Sequence, residues 1–211
     1  MRLGIYGGTF DPVHFGHLLL AECCREQCAL DEVWFLPACI SPHKRSAPPA
    51  DARHRIAMLQ LAVHGNPNFR VSTREIDRGG VSYTAETLAE LRAERPRDEL
   101  FFLLGADALA DLPNWREPAR IAAAATIVSV RRAGLESPSF ERLEPVIGQR
   151  ATQRLETHQV VMPVMELSSR ALRGRVAAGQ GIRYRTPAAV ERYILEQQLY
   201  RAAWELEPRS V

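Results

Sequence analysis

Two histidines, His14 and His17, stand three residues apart at the end of the run Gly7-Gly8-Thr9-Phe10-Asp11-Pro12-Val13-His14-Phe15-Gly16-His17. An imidazole pair behind a glycine turn suits three chemistries: ligation of a metal, general acid/base catalysis, or a cradle for phosphate. Zinc asks for a third protein ligand, and His14-Phe-Gly-His17 lacks the glutamate of the H-E-x-x-H helix. Glycine lets backbone approach a ligand closely, and the N–H groups that open a helix form an anion site. Two imidazoles at i and i+3 share one helical face there, each able to donate to a phosphoryl oxygen. The phosphate cradle is the preferred reading, with metal ligation and plain structural histidine behind it.

Other chemistry-bearing residues fall just after apolar runs. Pro42-His43-Lys44-Arg45 follows Glu32–Pro37, Gly105-Ala106-Asp107 follows Glu99–Leu104, and Arg131-Arg132 follows Thr126–Val130. Ser168-Ser169-Arg170-Ala171-Leu172-Arg173 opens a helix after a last short apolar run. Lys44 is the only lysine in a chain whose other basic residues are arginines, which suggests a local demand for a compact point charge. Trp115, on its own, reads equally well as a packing aromatic or a ligand contact.

The elements that must position these residues alternate. Strands are expected at Leu3–Tyr6, Glu32–Pro37, Phe69–Thr73, Glu99–Leu104, Thr126–Val130 and Gln159–Met162. Helices are expected at Phe15–Cys28, Ala52–Val63, Thr84–Glu94, Pro118–Ala123 and Ser168–Val176, from apolar residues at helical spacing. Thr186-Pro187 reads as an N-cap followed by a proline at the first helical position, with helix to Gln198. Gly79-Gly80 marks a turn, and residues 133–157 show no clear period. Such alternation predicts an α/β fold: a Rossmann-like, doubly wound parallel sheet in one domain spanning 1–211, with a small helical portion over about 165–204. Ligands bind such sheets beyond the carboxyl ends of the strands, where strand order reverses. All the polar residues above are expected at that edge.

Composition narrows the class. The chain has 211 residues, 46% hydrophobic and 25% charged, which suits a globular α/β domain with a real core. A net charge of +2, without a basic aromatic-rich stripe, argues against nucleic acid as a partner. The longest apolar run, Ile121–Val130, is too short to span a bilayer as a helix, so no membrane association is expected. The N-terminus has no signal-peptide pattern, and a cytoplasmic location is the simplest reading. Cys23, Cys24, Cys28 and Cys39 match no zinc spacing and read as small buried hydrophobes.

The Gly7–His17 stretch resembles the signature of the H-x-G-H nucleotidylyltransferase superfamily. Pro42-His43-Lys44, Ser82-Tyr83-Thr84, Gly105-Ala106-Asp107, Pro113-Asn114-Trp115 and the S-S-x-x-L-R form of Ser168–Arg173 extend the resemblance over nearly the whole chain. Together they identify it as similar to the bacterial nicotinate-nucleotide adenylyltransferases. That resemblance implies adenylyl transfer from ATP to nicotinate mononucleotide, giving nicotinate adenine dinucleotide and pyrophosphate. It implies ATP contacts from Gly7, Gly8, Thr9, Phe10, His14, His17, Gly105, Arg131, Ser168, Ser169 and Arg173. His14, His17, Lys44 and Arg173 carry the catalytic roles in that expectation, with His17 steadying the α-phosphate and Ser168, Ser169 and Arg173 holding the leaving pyrophosphate. The acceptor is expected against His43, Lys44, Thr84, Asp107, Trp115 and Arg116. In that set Trp115 stacks on the pyridine ring, Asp107 meets the ribose, and Thr84 with backbone near Trp115 and Arg116 receives the ring carboxylate. Mg²⁺ is expected to arrive with ATP, with few or no protein ligands, and homo-oligomerisation is left open.

Two positions depart from the family pattern. Arg116 stands where relatives carry an aromatic residue or lysine, and its charge is expected to favour nicotinate over nicotinamide. Arg131-Arg132-Ala133 replaces a frequent R-P, which leaves open which arginine faces the nucleotide. The rival readings are a sister adenylyltransferase, acting on nicotinamide mononucleotide or phosphopantetheine, and a nucleotide-sensing module without catalysis. The phosphopantetheine enzymes usually carry T-x-G-H in place of His14-Phe15-Gly16-His17.

Overall fold

In the computed structural model, described for residues 1–42, 49–132 and 140–201, six strands form one parallel sheet in the order β3-β2-β1-β4-β5-β6. They are β1 (Arg2–Gly8), β2 (Glu32–Pro37), β3 (Phe69–Val71), β4 (Glu99–Gly105), β5 (Thr126–Arg132) and β6 (Gln159–Met162). The helices between them are α1 (Phe15–Gln27), α2 (Ala52–Val63), α3 (Arg74–Arg78), α4 (Thr84–Glu94), α5 (Ala106–Asp111), α6 (Pro118–Ala124), α7 (Glu144–Ile147), α8 (Gln149–Thr157), α9 (Ser169–Ala177) and α10 (Ala188–Glu196). The chain starts in the middle of the sheet, winds outward through β2 and β3, then crosses to β4 and winds out the other way. Strand order therefore reverses between β1 and β4, whose registered residues run from Arg2 opposite Glu99 to Ile5 opposite Phe102. Such a reversal opens a crevice beyond the carboxyl ends of the strands.

Two-residue periodicity builds the two layers. On β4, Phe101 and Leu103 join one apolar cluster, with Leu20, Val33 and Met58; Leu100, Phe102 and Leu104 join the other, with Leu88, Ile121 and Leu155. Successive side chains leave opposite faces of a strand, so a stretch covered on both sides must be apolar throughout, as Leu100–Leu104 (LFFLL) is. Cys23, Cys24 and Cys28 are buried and unpaired, within the first cluster.

Two expectations need correction, the end of the third strand and the Thr186 cap, and the structure fills in further short helices. The third strand stops at Val71 because the short helix α3 starts at Arg74. Residues 106–111 form helix α5, too short to display a period. Part of the region without a clear period is helical, as α7 and α8, while 133–139 lie outside the described residues. Thr186 does not cap α10: its buried hydroxyl donates to the Val13 carbonyl at 2.8 Å, and Pro187 takes the N-cap position. A buried carbonyl without a donor is costly, and Thr186 is the group in reach.

Candidate active site

The turn after β1 is shaped by the ring beneath it. Phe10 takes a left-handed conformation (φ 49°) and is 2% exposed, so its side chain sits in the core rather than in the cavity. A Cβ on Gly8 would lie 3.0 Å from the Phe10 ring, which explains why glycine stands there. The same ring meets His17 edge-on, with centroids 5.1 Å apart. The turn thus folds over an aromatic floor that also seats one of the two histidines.

His14 precedes the helix rather than sharing its face: it is the N-cap residue of α1, in extended backbone, and His17 is the third helical residue. The two rings nevertheless stack, 3.7 Å between centroids and 26° between planes. The backbone N–H of His14 donates to His17 Nδ1 at 3.2 Å. An accepting Nδ1 places the proton of neutral His17 on Nε2. His14 is 6% exposed, and its Nδ1 finds no hydrogen-bond partner among the described residues. Burial pushes its pKa down to about 4, so this ring is neutral at pH 7. Gly16 leaves room for the stack: a Cβ there would lie only 3.0 Å from the His14 ring.

A cavity of about 910 Å³ opens at the sheet's reversal point. Gly7, Gly8, Thr9, His14 and His17 wall it on one side; Gly105 and Arg131 stand at the ends of β4 and β5. Thr84, Asp107, Trp115 and Arg116 also line it. Thr84 is the first residue of α4, so the positive end of that helix faces the cavity, which suits a carboxylate. Trp115 is held by its indole N–H, donated to Asp111 Oδ2 at 3.1 Å, and by Phe102, whose ring it meets at 6.1 Å. Arg116 lies over the Tyr83 ring at 4.3 Å and pairs with Glu86 at 3.2 Å, so part of its charge is already matched.

Phe10, Ser168, Ser169 and Arg173 do not form the cavity's walls. The last three engage the turn and their own helix instead. Ser168 Oγ accepts from Ala171 N–H and caps α9, Ser169 Oγ donates to the Pro12 carbonyl at 2.9 Å, and Arg173 donates to the Asp11 carbonyl at 2.7 Å. His43 and Lys44 lie outside the described residues, as does the Arg132 side chain; Ser41 and Pro42, just before His43, line the cavity.

Sequence reasoning missed three supporting groups. Arg55, 1% exposed on α2, donates to the carbonyls of Thr9, Ala38, Cys39 and Ala50, tying the turn to both flanks of the loop that carries Lys44. Glu75 lies buried at the cavity, accepting from Thr87 Oγ1 at 2.7 Å, and burial raises its pKa. Tyr200 donates its hydroxyl to Asp11 Oδ1 at 2.6 Å. In sequence Arg55 and Glu75 look like ordinary residues of polar helices, and Tyr200 like a terminal aromatic, because their partners are distant along the chain. Among the described residues, no three of His, Cys, Asp and Glu gather as a metal site, and no helix is long and apolar enough to cross a membrane.

The profile of the Cytidylyltransferase-like family matches residues 5–175. A protein of Thermomicrobium roseum named probable nicotinate-nucleotide adenylyltransferase is 43% identical over 98% of this chain and 95% of its own length. One of the same name from Thermus thermophilus is 43% identical over 95% of this chain and its full length. The fold is shared with the nicotinic acid mononucleotide adenylyltransferase of Plasmodium falciparum solved with NaAD, with a TM-score of 0.73 at 16% identity, covering 94% of this chain and 97% of that one. By sequence and by fold, then, the chain belongs to the Cytidylyltransferase-like family and, within it, to the nicotinate-nucleotide adenylyltransferases.

Proposed function

We propose that the protein transfers the adenylyl group of ATP to nicotinate mononucleotide, releasing pyrophosphate and forming nicotinate adenine dinucleotide, a step of NAD biosynthesis. One observation carries this reading. A single cavity holds the glycine turn with its stacked histidines together with the α4 N-terminus, Asp107 and Trp115. The first group suits phosphates and the second an aromatic ring bearing a carboxylate.

The chemistry then needs little from the protein beyond placement and charge. A phosphate oxygen of the mononucleotide attacks the α-phosphorus, a new P–O bond forms, and the bond to the β-phosphate oxygen breaks with pyrophosphate leaving. The attacking phosphate is largely ionised near pH 7, since its second pKa is about 6, so no proton must be removed. What remains is repulsion between anions and misalignment, which oriented donors lower. His17 Nε2–H serves as such a donor at the α-phosphate, with its proton fixed there by the bond at Nδ1. His14 works as a neutral ring; its low basicity suits holding phosphate rather than removing a proton. Ser168, Ser169 and Arg173 take the β- and γ-phosphates, with Arg173 exchanging its bond to the Asp11 carbonyl for phosphate oxygens. Gly7, Gly8, Thr9 and Phe10 add backbone donors, and Gly105 and Arg131 border the adenine nucleotide. By the family resemblance His43 and Lys44 serve the acceptor mononucleotide, with Lys44 as a compact point charge for the reacting phosphate. ATP enters as its Mg²⁺ complex, with the ion's oxygen shell supplied by phosphate and water. We place the protein's work in the cytoplasm.

On the acceptor side the nicotinate carboxylate meets the α4 N-terminus at Thr84, the ring stacks on Trp115, and Asp107 accepts from ribose. A carboxylate gains from a helix N-terminus what a neutral amide does not, which selects nicotinate over nicotinamide. Pyrophosphate release from ATP, measured with nicotinate mononucleotide, nicotinamide mononucleotide and phosphopantetheine in turn, tests the reading. Turnover is expected with the first and much less with the others. Silence with nicotinate mononucleotide overturns it.

A further inference from the structure

We infer that Tyr200 is a positioning residue for adenylyl transfer: its hydroxyl fixes the Asp11 carboxylate so that Arg173 stays available to phosphate. The inference rests on the reading of Arg173 as a phosphate ligand.

Asp11 sits inside the phosphate turn, 5% exposed. Its Oδ1 accepts from the Tyr200 hydroxyl at 2.6 Å and from Ala50 N–H at 3.3 Å. Its Oδ2 stands 3.6 Å from Arg173 Nη1, beyond a good hydrogen bond, while that nitrogen donates to the Asp11 main-chain carbonyl at 2.7 Å. Arg173 is thus held beside the carboxylate without being captured by it. A buried carboxylate that lost its partner on Oδ1 would turn toward the nearest cation, and a close carboxylate–guanidinium pair is strong in such surroundings. Arg173 would then be drawn away from its phosphate.

The chain goes to some length to deliver this hydroxyl. After α10, Gln198 (φ 52°) takes the left-handed conformation common one residue past a helix end, whereas Tyr200 (φ 65°) is left-handed beyond that cap without being glycine, a strain that persists only where surroundings impose it. Leu199 N–H returns to the Ile194 carbonyl at 3.0 Å, and the Tyr200 hydroxyl also lies 4.0 Å from Met58 Sδ on α2. Burial and the Asp11 charge push the phenol upward, so it remains a donor at neutral pH. Mere tethering of the C-terminal segment needs no hydroxyl, since Leu199 and the Tyr200 ring already pack on the core.

The test is a double-mutant cycle in ATP affinity, measured by calorimetry without acceptor. Tyr200→Phe, which fills the same half-buried space, is expected to melt near wild type, to bind ATP about tenfold more weakly, and to keep its KM for nicotinate mononucleotide. In an Asp11→Asn background, where no carboxylate can capture Arg173, the same substitution is expected to leave ATP affinity unchanged. A loss of equal size in both backgrounds assigns the hydroxyl to general stability and overturns the inference, as does wild-type ATP affinity in Tyr200→Phe. So does a Tyr200→Phe protein that melts below the assay temperature. Failure of the wild-type protein to bind ATP overturns the functional reading itself, and this inference with it.

Discussion

At the scale of single residues, the histidine pair depends on an atom that is absent. Gly16 has no Cβ, and that space is where the His14 ring rests against its own helix. Gly16→Ala gains helix propensity of about 1 kcal/mol and crowds the His14 ring, which must shift to relieve a 3.0 Å contact. The expected outcome is near-native or raised thermal stability with kcat lowered at least about tenfold, or ~1.4 kcal/mol in the barrier; unchanged kcat would remove the argument. His14 also shapes stability against pH. Its folded pKa of about 4 lies below the free value of 6.5, so between them the unfolded chain binds the extra proton. This contribution is complete above pH 6.5 and is lost as pH falls toward about 4, reaching an order of ~3 kcal/mol. Denaturant melts at pH 7 and pH 4.5 should show a smaller difference in His14→Asn than in wild type. The two histidines were legible in the sequence because the motif is contiguous. Arg55 and Tyr200 were not: Arg55 acts on carbonyls up to 46 positions away and Tyr200 on a carboxylate 189 positions away.

At the scale of elements, α9 shows how one residue serves two ends. Ser168 accepts from Ala171 N–H and still has its own hydroxyl proton to give a phosphate oxygen. Aspartate caps as well as serine but offers no donor and adds a negative charge. Ser168→Asp should therefore melt like wild type while its KM for ATP rises about tenfold or more; unchanged ATP kinetics would reduce Ser168 to a cap. Elements of ten or so residues were read well: α2 and α4 lie at the expected positions, since their apolar spacing repeats over several turns. Helices α3 and α5 hold 5 and 6 residues, less than two turns, so no period could reveal them. Thr186 misled because a cap and a tertiary donor look identical in sequence; only the position of Val13 decides between them.

At the scale of the whole molecule, alternation of strand and helix was enough to anticipate a parallel sheet. It could not give strand order, which depends on which faces bury best. We propose that the chain unfolds as a single unit, the helical portion over about 165–204 included. Leu172, Ile182, Val190 and Ile194 belong to the same buried cluster as Tyr6, Val33 and Met58, and His54 on α2 meets the Tyr193 hydroxyl at 2.9 Å. Urea transitions followed by tryptophan fluorescence in a Trp204→Phe background, which leaves Trp34 and Trp115 on the other side of the sheet, and by far-UV ellipticity should coincide. An earlier loss of ellipticity would separate the helical portion.

Because all six strands run the same way, their amino ends share the rim opposite the cavity. That rim is stitched by charge pairs and main-chain bonds: the Met1 ammonium pairs with Asp98, Arg2 with Glu99 and Arg70 with Glu32, while Asp31 N–H returns to the Arg2 carbonyl. Exposed pairs of this kind contribute little each. The molecule therefore has a back as well as a front. A surface anchor or a fused partner attached along the back stands a full strand length from the cavity, and can immobilise the protein without blocking its mouth.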